Sequence, residues 1–320
     1  MSLVKLRLSV IGTLAFIIGA STLFFTIILS LTNAFSLYTM VFFVVGFNIL
    51  QWLVAPYLID AIYHVKEVQE KDHPKLYDMV KRICQRANFP MPRVMIANMP
   101  IPNAFAYGSP VAGRRVAVTT ELLKTLEDEE VEAVLGHEIG HLKHRDVQIM
   151  MFASVLPAIF YYIGFSFMMS GMWGRKDRNA GGAVLVGIAA MALYWILSLF
   201  VMGLSRLREY YADQHAVRTV DDGARKLSEG LAKITMASGR YKMRHRNTGG
   251  ISSFKALLIS DPDRADQDEV LLAQSGLVRS DSELVREILS RKVTGSDRFM
   301  ELFSTHPNVV KRLRALAKSA

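Results

Sequence analysis

Cysteine is almost absent from this chain, and that excludes a good deal. Cys84 is the single cysteine among 320 residues, so no intramolecular disulfide can staple the fold. Nothing beside it in sequence is placed to activate a thiol, so it reads as a small buried hydrophobe rather than a nucleophile. The lack of disulfides fits a reducing compartment. Charge is missing from long stretches as well. Lys5 and Arg7 are followed by no charged residue before Asp60; residues 147–174 carry none, and neither do residues 179–205. A chain with 51% hydrophobic residues arranged in this way is neither an ordinary soluble enzyme nor a bare membrane bundle. The formal charge of +9 would suit nucleic acid, but Lys and Arg flanking membrane spans explain it better, and no nucleic-acid partner is expected.

About 20 apolar residues cross a bilayer. The first uncharged run is therefore long enough for two spans, near 8–30 and 37–59, broken at Ser30-Leu31-Thr32-Asn33. A cleaved signal peptide is a poorer reading, because the apolar run is too long and a second span follows at once. Trp52, Tyr57 and Tyr63 suit an interfacial belt. The runs at 147–174 and 179–205 form a second hairpin around Arg175-Lys176-Asp177-Arg178. The sequence thus predicts four parts: a transmembrane hairpin at 1–62, the first half of a second, more polar domain at 63–146, a second hairpin at 147–204 and the other half of that domain at 205–320. The expected fold class is mainly α with a small β-sheet, carried on four transmembrane helices.

Within 63–146, Leu76, Met79, Val80 and Ile83 share one face of a helix from Pro74 to Ala87. Strands are expected at 93–97, 103–108 and 115–119, with a turn at 109–113. Thr119 or Thr120 suits the cap of a short helix ending at Leu126. Asp128, Glu129 and Glu130 then put negative charge at the start of the next helix, where its dipole favours it. Later, Gly239–Ser253 reads as a flexible basic loop and 264–293 as helical. No internal repeat is evident.

That next helix carries His137-Glu138-Ile139-Gly140-His141. Histidines four apart stand one turn apart on one face, so both imidazoles reach a single ion. Glu138 lies about 100° around the helix, where a general base for an activated water belongs. Val131, Ala133, Val134, Leu135, Ile139 and Leu142 make the rest of the helix apolar. Burying two imidazoles there is costly unless a metal pairs them.

A catalytic zinc site keeps three protein ligands and one open position. Glu209, in the segment 205–213, is the best third candidate. Asp213, one turn later, suits a carboxylate that accepts the free ring N–H of a ligand histidine. The competing reading pairs these acids with Arg206 and Arg208 on a surface helix. Topology favours the metal: His141 precedes a two-span hairpin and Glu209 follows it, so both return to one membrane face. Four Lys/Arg clusters share that face and one loop opposes them, which predicts a multi-pass cell-membrane protein with the catalytic domain and both termini in the cytoplasm. Near the end, Ser304-Thr305-His306-Pro307 reads as a helix start, with Ser304 or Thr305 capping and Pro307 in the first turn. His306 is a candidate donor to a tetrahedral oxyanion, with a packing histidine as the equal alternative.

These residues together resemble the HtpX family of integral-membrane zinc metalloproteases, related to the CAAX-prenyl endopeptidases. The resemblance is carried by His137–His141, by Ser205-Arg206-Leu207-Arg208-Glu209-Tyr210-Tyr211-Ala212-Asp213, by Thr305-His306-Pro307 with Arg312, and by Asn103-Ala104-Phe105-Ala106. It implies a zincin-like metalloprotease domain in two halves, 63–146 and 205–320, with one Zn2+ held by His137, His141 and Glu209 and with Glu138 as the acid/base. It also implies quality control of misfolded membrane proteins as the activity, with unfolded peptides and the lipid bilayer as partners. Residues 103–107 would offer a sheet edge to an extended substrate. Two rivals are a peptidase trimming lipidated C-termini and a non-enzymatic scaffold or holdase with a structural zinc. The second would usually need more cysteine than the chain has.

Overall fold

The computed structural model describes residues 37–173, 180–244 and 280–319. The first expected span, the 175–178 loop, and residues 245–279 lie outside them. Three described helices are long and apolar enough to cross a membrane: α1 (Leu37–Ile62), α5 (Asp146–Trp173) and α6 (Ala180–Thr219). α1 and α5 contain Pro56 and Pro157, each of which removes one helical N–H donor. The chain divides into two compact units. One comprises the described residues up to Trp52 together with Gln148–Val201. Its packing includes Val44 and Tyr162, flanked by Phe43, Ala158 and Ile159.

The other unit comprises Leu53–Val147 and Met202–Ala320. It contains a four-stranded sheet in the order β1-β2-β4-β3, from β1 (Val65–Glu67), β2 (Arg93–Ala97), β3 (Ala104–Ser109) and β4 (Gly113–Thr119). β2 and β4 pair in parallel, with Val94 opposite Val116, while β1 and β3 run antiparallel to their neighbours. Side chains alternate across the sheet, and the two faces separate cleanly. Val94, Val116 and Val118 join the main core, whereas Met95, Ala97, Phe105, Tyr107 and Ala117 build a second cluster with Tyr63. β1 was not anticipated; three residues are too short for a periodic signal.

The main core is closed by helices. α2 (Pro74–Ala87) contributes Leu76, Val80 and Ile83; α4 (Asp128–Lys143) contributes Val131, Val134, Leu135 and Ile139; α7 (Gly223–Arg244) contributes Leu227, Leu231 and Ile234. Each such side chain is worth about 1.5–3 kcal/mol when fully buried. Between β4 and α4 lies α3 (Thr120–Thr125), capped by the Thr119 hydroxyl, which accepts from Leu122 N at 3.1 Å. α4 starts with a capping box in which Glu127 and Glu130 satisfy each other's backbone N–H groups. After α8 (Asp281–Ser290) and α9 (Gly295–Glu301) the chain ends in α10 (Val309–Leu316).

Two expectations need correction. α7 continues to Arg244, so residues 239–244 are helical rather than loop; the rest of that segment lies outside the described residues. The helix after His306 starts later than expected. Its cap is Asn308, whose side chain accepts from Val310 N at 2.9 Å, and Pro307 precedes the cap. Ser304 is occupied otherwise: its hydroxyl donates to His306 O and accepts from His306 N.

Small residues set the closest approach to α4. A Cβ at Gly140 would stand 3.0 Å from His215 Cβ and 3.2 Å from Ala212 Cα; one at Gly136 would stand 3.0 Å from Val220 Cγ2 and 3.3 Å from Ala216 Cα. Gly140→Ala is therefore expected to destabilise the protein by roughly 1–3 kcal/mol through overpacking, seen as a lower thermal unfolding midpoint. An unchanged midpoint would show that the two backbones can separate without cost.

Candidate metal centre

α4 places His137 and His141 one turn apart, with ring centroids 4.7 Å apart and planes nearly perpendicular at 89°. Their Nε2 atoms face each other at 3.1 Å. Each opposite ring nitrogen meets a carboxylate. His137 Nδ1 lies 2.9 Å from Asp213 Oδ1, and His141 Nδ1 lies 2.6 Å from Asp146 Oδ2. A carboxylate accepts, so each neutral ring carries its proton on Nδ1. Both Nε2 lone pairs then point into the same small space.

Glu209, on α6, closes that space. Its Oε2 stands 3.6 Å from His137 Nε2 and its Oε1 3.5 Å from His141 Nε2. Glu209 is buried, and Oε2 accepts no hydrogen bond among the described residues, although the Arg312 guanidinium lies 3.1 Å from it. Two converging lone pairs beside a buried carboxylate oxygen repel one another unless a cation lies among them. This donor set, two nitrogens and a carboxylate, fits zinc or a similar divalent ion. Glu138 is buried too, and its carboxylate lies with both imidazoles in a group whose ligand atoms are within 4.8 Å of one another.

The carboxylates behind the histidines are themselves held by arginines. Arg312, on α10, grips Asp213 with two bonds, Nε to Oδ2 at 3.0 Å and Nη2 to Oδ1 at 2.6 Å. Its Nη1 also lies 3.1 Å from Glu209 Oε2. Burial opposes the charge on Arg312, but Asp213 and Glu209 outweigh it and raise its pKa above the ordinary value. Arg208 pairs with Asp146 and donates to His144 O at 2.9 Å. The surface-pair alternative therefore fails: Glu209 and Asp213 are buried and answered by Arg312, while Arg206 donates to backbone carbonyls of residues 301 and 304.

His306 Nδ1 stands 3.3 Å from Glu209 Oε1. Asn103, Ala104 and Phe105 are buried and Ala106 is half-buried, on or beside β3, an outer strand of the sheet. Cys84 is buried, and burial pushes its thiol up to about 11, which suits the packing role read from the sequence. Sequence reasoning missed Asp146 and Arg208. Asp146 is five residues past His141, out of register for a helical neighbour. It returns to His141 because Arg145 takes a left-handed backbone (φ 57) between α4 and α5. The available signal was that Asp146 is the last charge before an uncharged run.

A helical membrane chain in which buried His137 and Glu209 meet half-buried His141 defines a metalloprotease class. Comparison with known proteins is specific: residues 70–320 match peptidase family M48. A protease HtpX homolog of Thermoplasma acidophilum is 40% identical over 276 residues, covering 85% of this chain and 82% of the relative. One from Picrophilus torridus is 35% identical over 326 residues, covering 99% and 98%. A crystal structure of S. mikatae Ste24p aligns with TM-score 0.56 and 18% identity, over 98% of this chain and 67% of that one. The chain belongs to peptidase family M48, on its HtpX branch. It is a membrane metalloprotease, and that membership decides for an enzyme over a non-catalytic scaffold.

Removing Arg312 strands two buried carboxylates. Arg312→Ala is expected to cost roughly 3–5 kcal/mol of stability. Arg312→Lys should recover only part of it, because an ammonium lacks the planar fork that grips Asp213. Thermal unfolding of the two variants measures both.

Proposed function

We propose that the protein is a zinc-dependent endopeptidase acting at the membrane surface on misfolded or damaged membrane proteins. The observation that supports this best is the convergence of His137 Nε2, His141 Nε2 and the Glu209 carboxylate on one point. These three residues would hold one Zn2+. The bound ion supplies Lewis acidity, polarising a scissile carbonyl and making water a better nucleophile.

The chain's own groups do the rest. Glu138 takes the proton from the attacking water and passes it to the leaving amine. Asp213 and Asp146 fix the tautomers of His137 and His141, keeping each Nε2 lone pair aimed inward. His306 donates to the developing oxyanion. Asn103, Ala104, Phe105 and Ala106 offer a backbone edge, so an extended peptide is held with little regard to its sequence. That tolerance suits substrates recognised by being unfolded.

We further infer that residues 63–146 and 205–320 are the two halves of the catalytic domain, and that 1–62 and 147–204 are its two transmembrane hairpins. The Lys/Arg bias supports a cell-membrane protein with the catalytic domain and both termini in the cytoplasm.

Hydrolysis of casein by the purified protein, with and without chelator, tests the reading. Glu138→Gln is expected to lower the rate by about 10²–10⁴-fold or more while zinc content is unchanged. Glu209→Ala should lose zinc by elemental analysis, and retention would place the third ligand elsewhere. Asp146→Asn should weaken zinc affinity about 10–100-fold in a competition titration. An unaltered affinity would mean that His141 needs no orienting partner.

A further inference from the structure

The segment that leads to His306 exposes three large apolar side chains. Phe299 is 61% exposed, Leu302 46% and Phe303 51%. α9 ends at Glu301, but Leu302 N donates to Phe299 O and Phe303 N to Met300 O, each at 3.2 Å, so a tighter turn continues the helix past its end. The rings of Phe299 and Phe303 meet edge to face at 5.5 Å. Three such groups together at a water-facing surface are an unfavourable arrangement unless something covers them.

Arg206 indicates what covers them. It is the first charged residue after the uncharged run 179–205 on α6, a helix apolar enough to cross a membrane. A guanidinium in that position marks the boundary between hydrocarbon and water. The same guanidinium donates to Glu301 O and Ser304 O, each at 2.7 Å. Residues 301–304 are thereby tied to the residue that ends the uncharged run. Leu207, beside Arg206, is 58% exposed. Apolar side chains accompanied by arginine are the composition of an interfacial contact with lipid.

We propose that Phe299, Leu302 and Phe303 form a foot that inserts into the lipid headgroup and upper acyl region, and that this contact steadies the segment carrying His306. The connection to the centre is short. Ser304, held by Arg206, bonds both backbone groups of His306, and His306 lies 3.3 Å from Glu209. Glu301 secures the other side, accepting from Asn308 N at 3.0 Å and pairing with Lys311. The lipid contact is independent of any catalytic role assigned to His306.

The full-length protein with its single cysteine replaced (Cys84→Ala) accepts a new cysteine at Phe303→Cys or, separately, Phe299→Cys. An environment-sensitive NBD label on each is read in phosphatidylcholine–phosphatidylglycerol vesicles. A foot set roughly 5–10 Å into the interface gives blue-shifted emission, strong quenching by lipid carrying a nitroxide high on its acyl chain, and little quenching by aqueous iodide. Lys75→Cys, on a side chain that is 81% exposed, should show the reverse. The proposal is overturned if iodide quenches both labels as it does the Lys75 control. It is equally overturned if both labels are shielded from iodide and nitroxide lipid alike, which would mark a protein occupant. Neither readout depends on zinc or on hydrolysis.

Discussion

Burial of charge is the constraint around which the centre is arranged. Glu209, Asp213 and Arg312 lie out of water, and none could stay there ionised alone. The Arg312 fork answers Asp213 with two bonds and Glu209 with a third contact. Asp213 in turn fixes the proton of His137. One guanidinium therefore controls the orientation of one histidine and the position of the carboxylate facing it. Asp146 and Arg208 repeat the device for His141, at a more accessible edge.

The backbone makes that electrostatic arrangement possible. α4 carries Gly136 and Gly140 where Ala212 and Ala216 approach, so Glu209 and Asp213 reach the histidines. The left-handed residue Arg145 ends α4 abruptly and returns Asp146 to His141. Asn308, rather than Ser304 or Thr305, starts α10, which leaves Ser304 to brace His306 while α10 presents Arg312 inward. Each is a local backbone feature whose consequence is the placement of a charge several residues or a whole element away.

Much of the fold was legible because it is written in periods. The stripe of Leu76, Met79, Val80 and Ile83 predicted α2 with the bounds it has, and the β2 run matched as well. The uncharged runs marked the long helices, three of which lie among the described residues. The strand at 65–67 was illegible because so short a run has no period. The helical continuation through 239–244 was hidden by glycine and arginine, which read locally as loop but here extend a helix that packs on α4 and α8. Asp146 was missed because it lies beyond the break at Arg145, where helical spacing no longer says which residues meet.

By itself the sequence determined that two imidazoles share a face, that a carboxylate stands beside them, and that the chain must cross a membrane more than once. Those are properties of short-range geometry and of water's exclusion of apolar surface, and both act within a single element. Which acids turn inward was decided only by the tertiary structure. Glu209, Asp213 and Asp146 each had an arginine nearby in sequence, yet Glu209 and Asp213 pair with Arg312 and Asp146 with Arg208. Burial made the difference, because a charge taken from water must find its partner among whatever the folded chain brings within hydrogen-bonding reach, however distant in sequence.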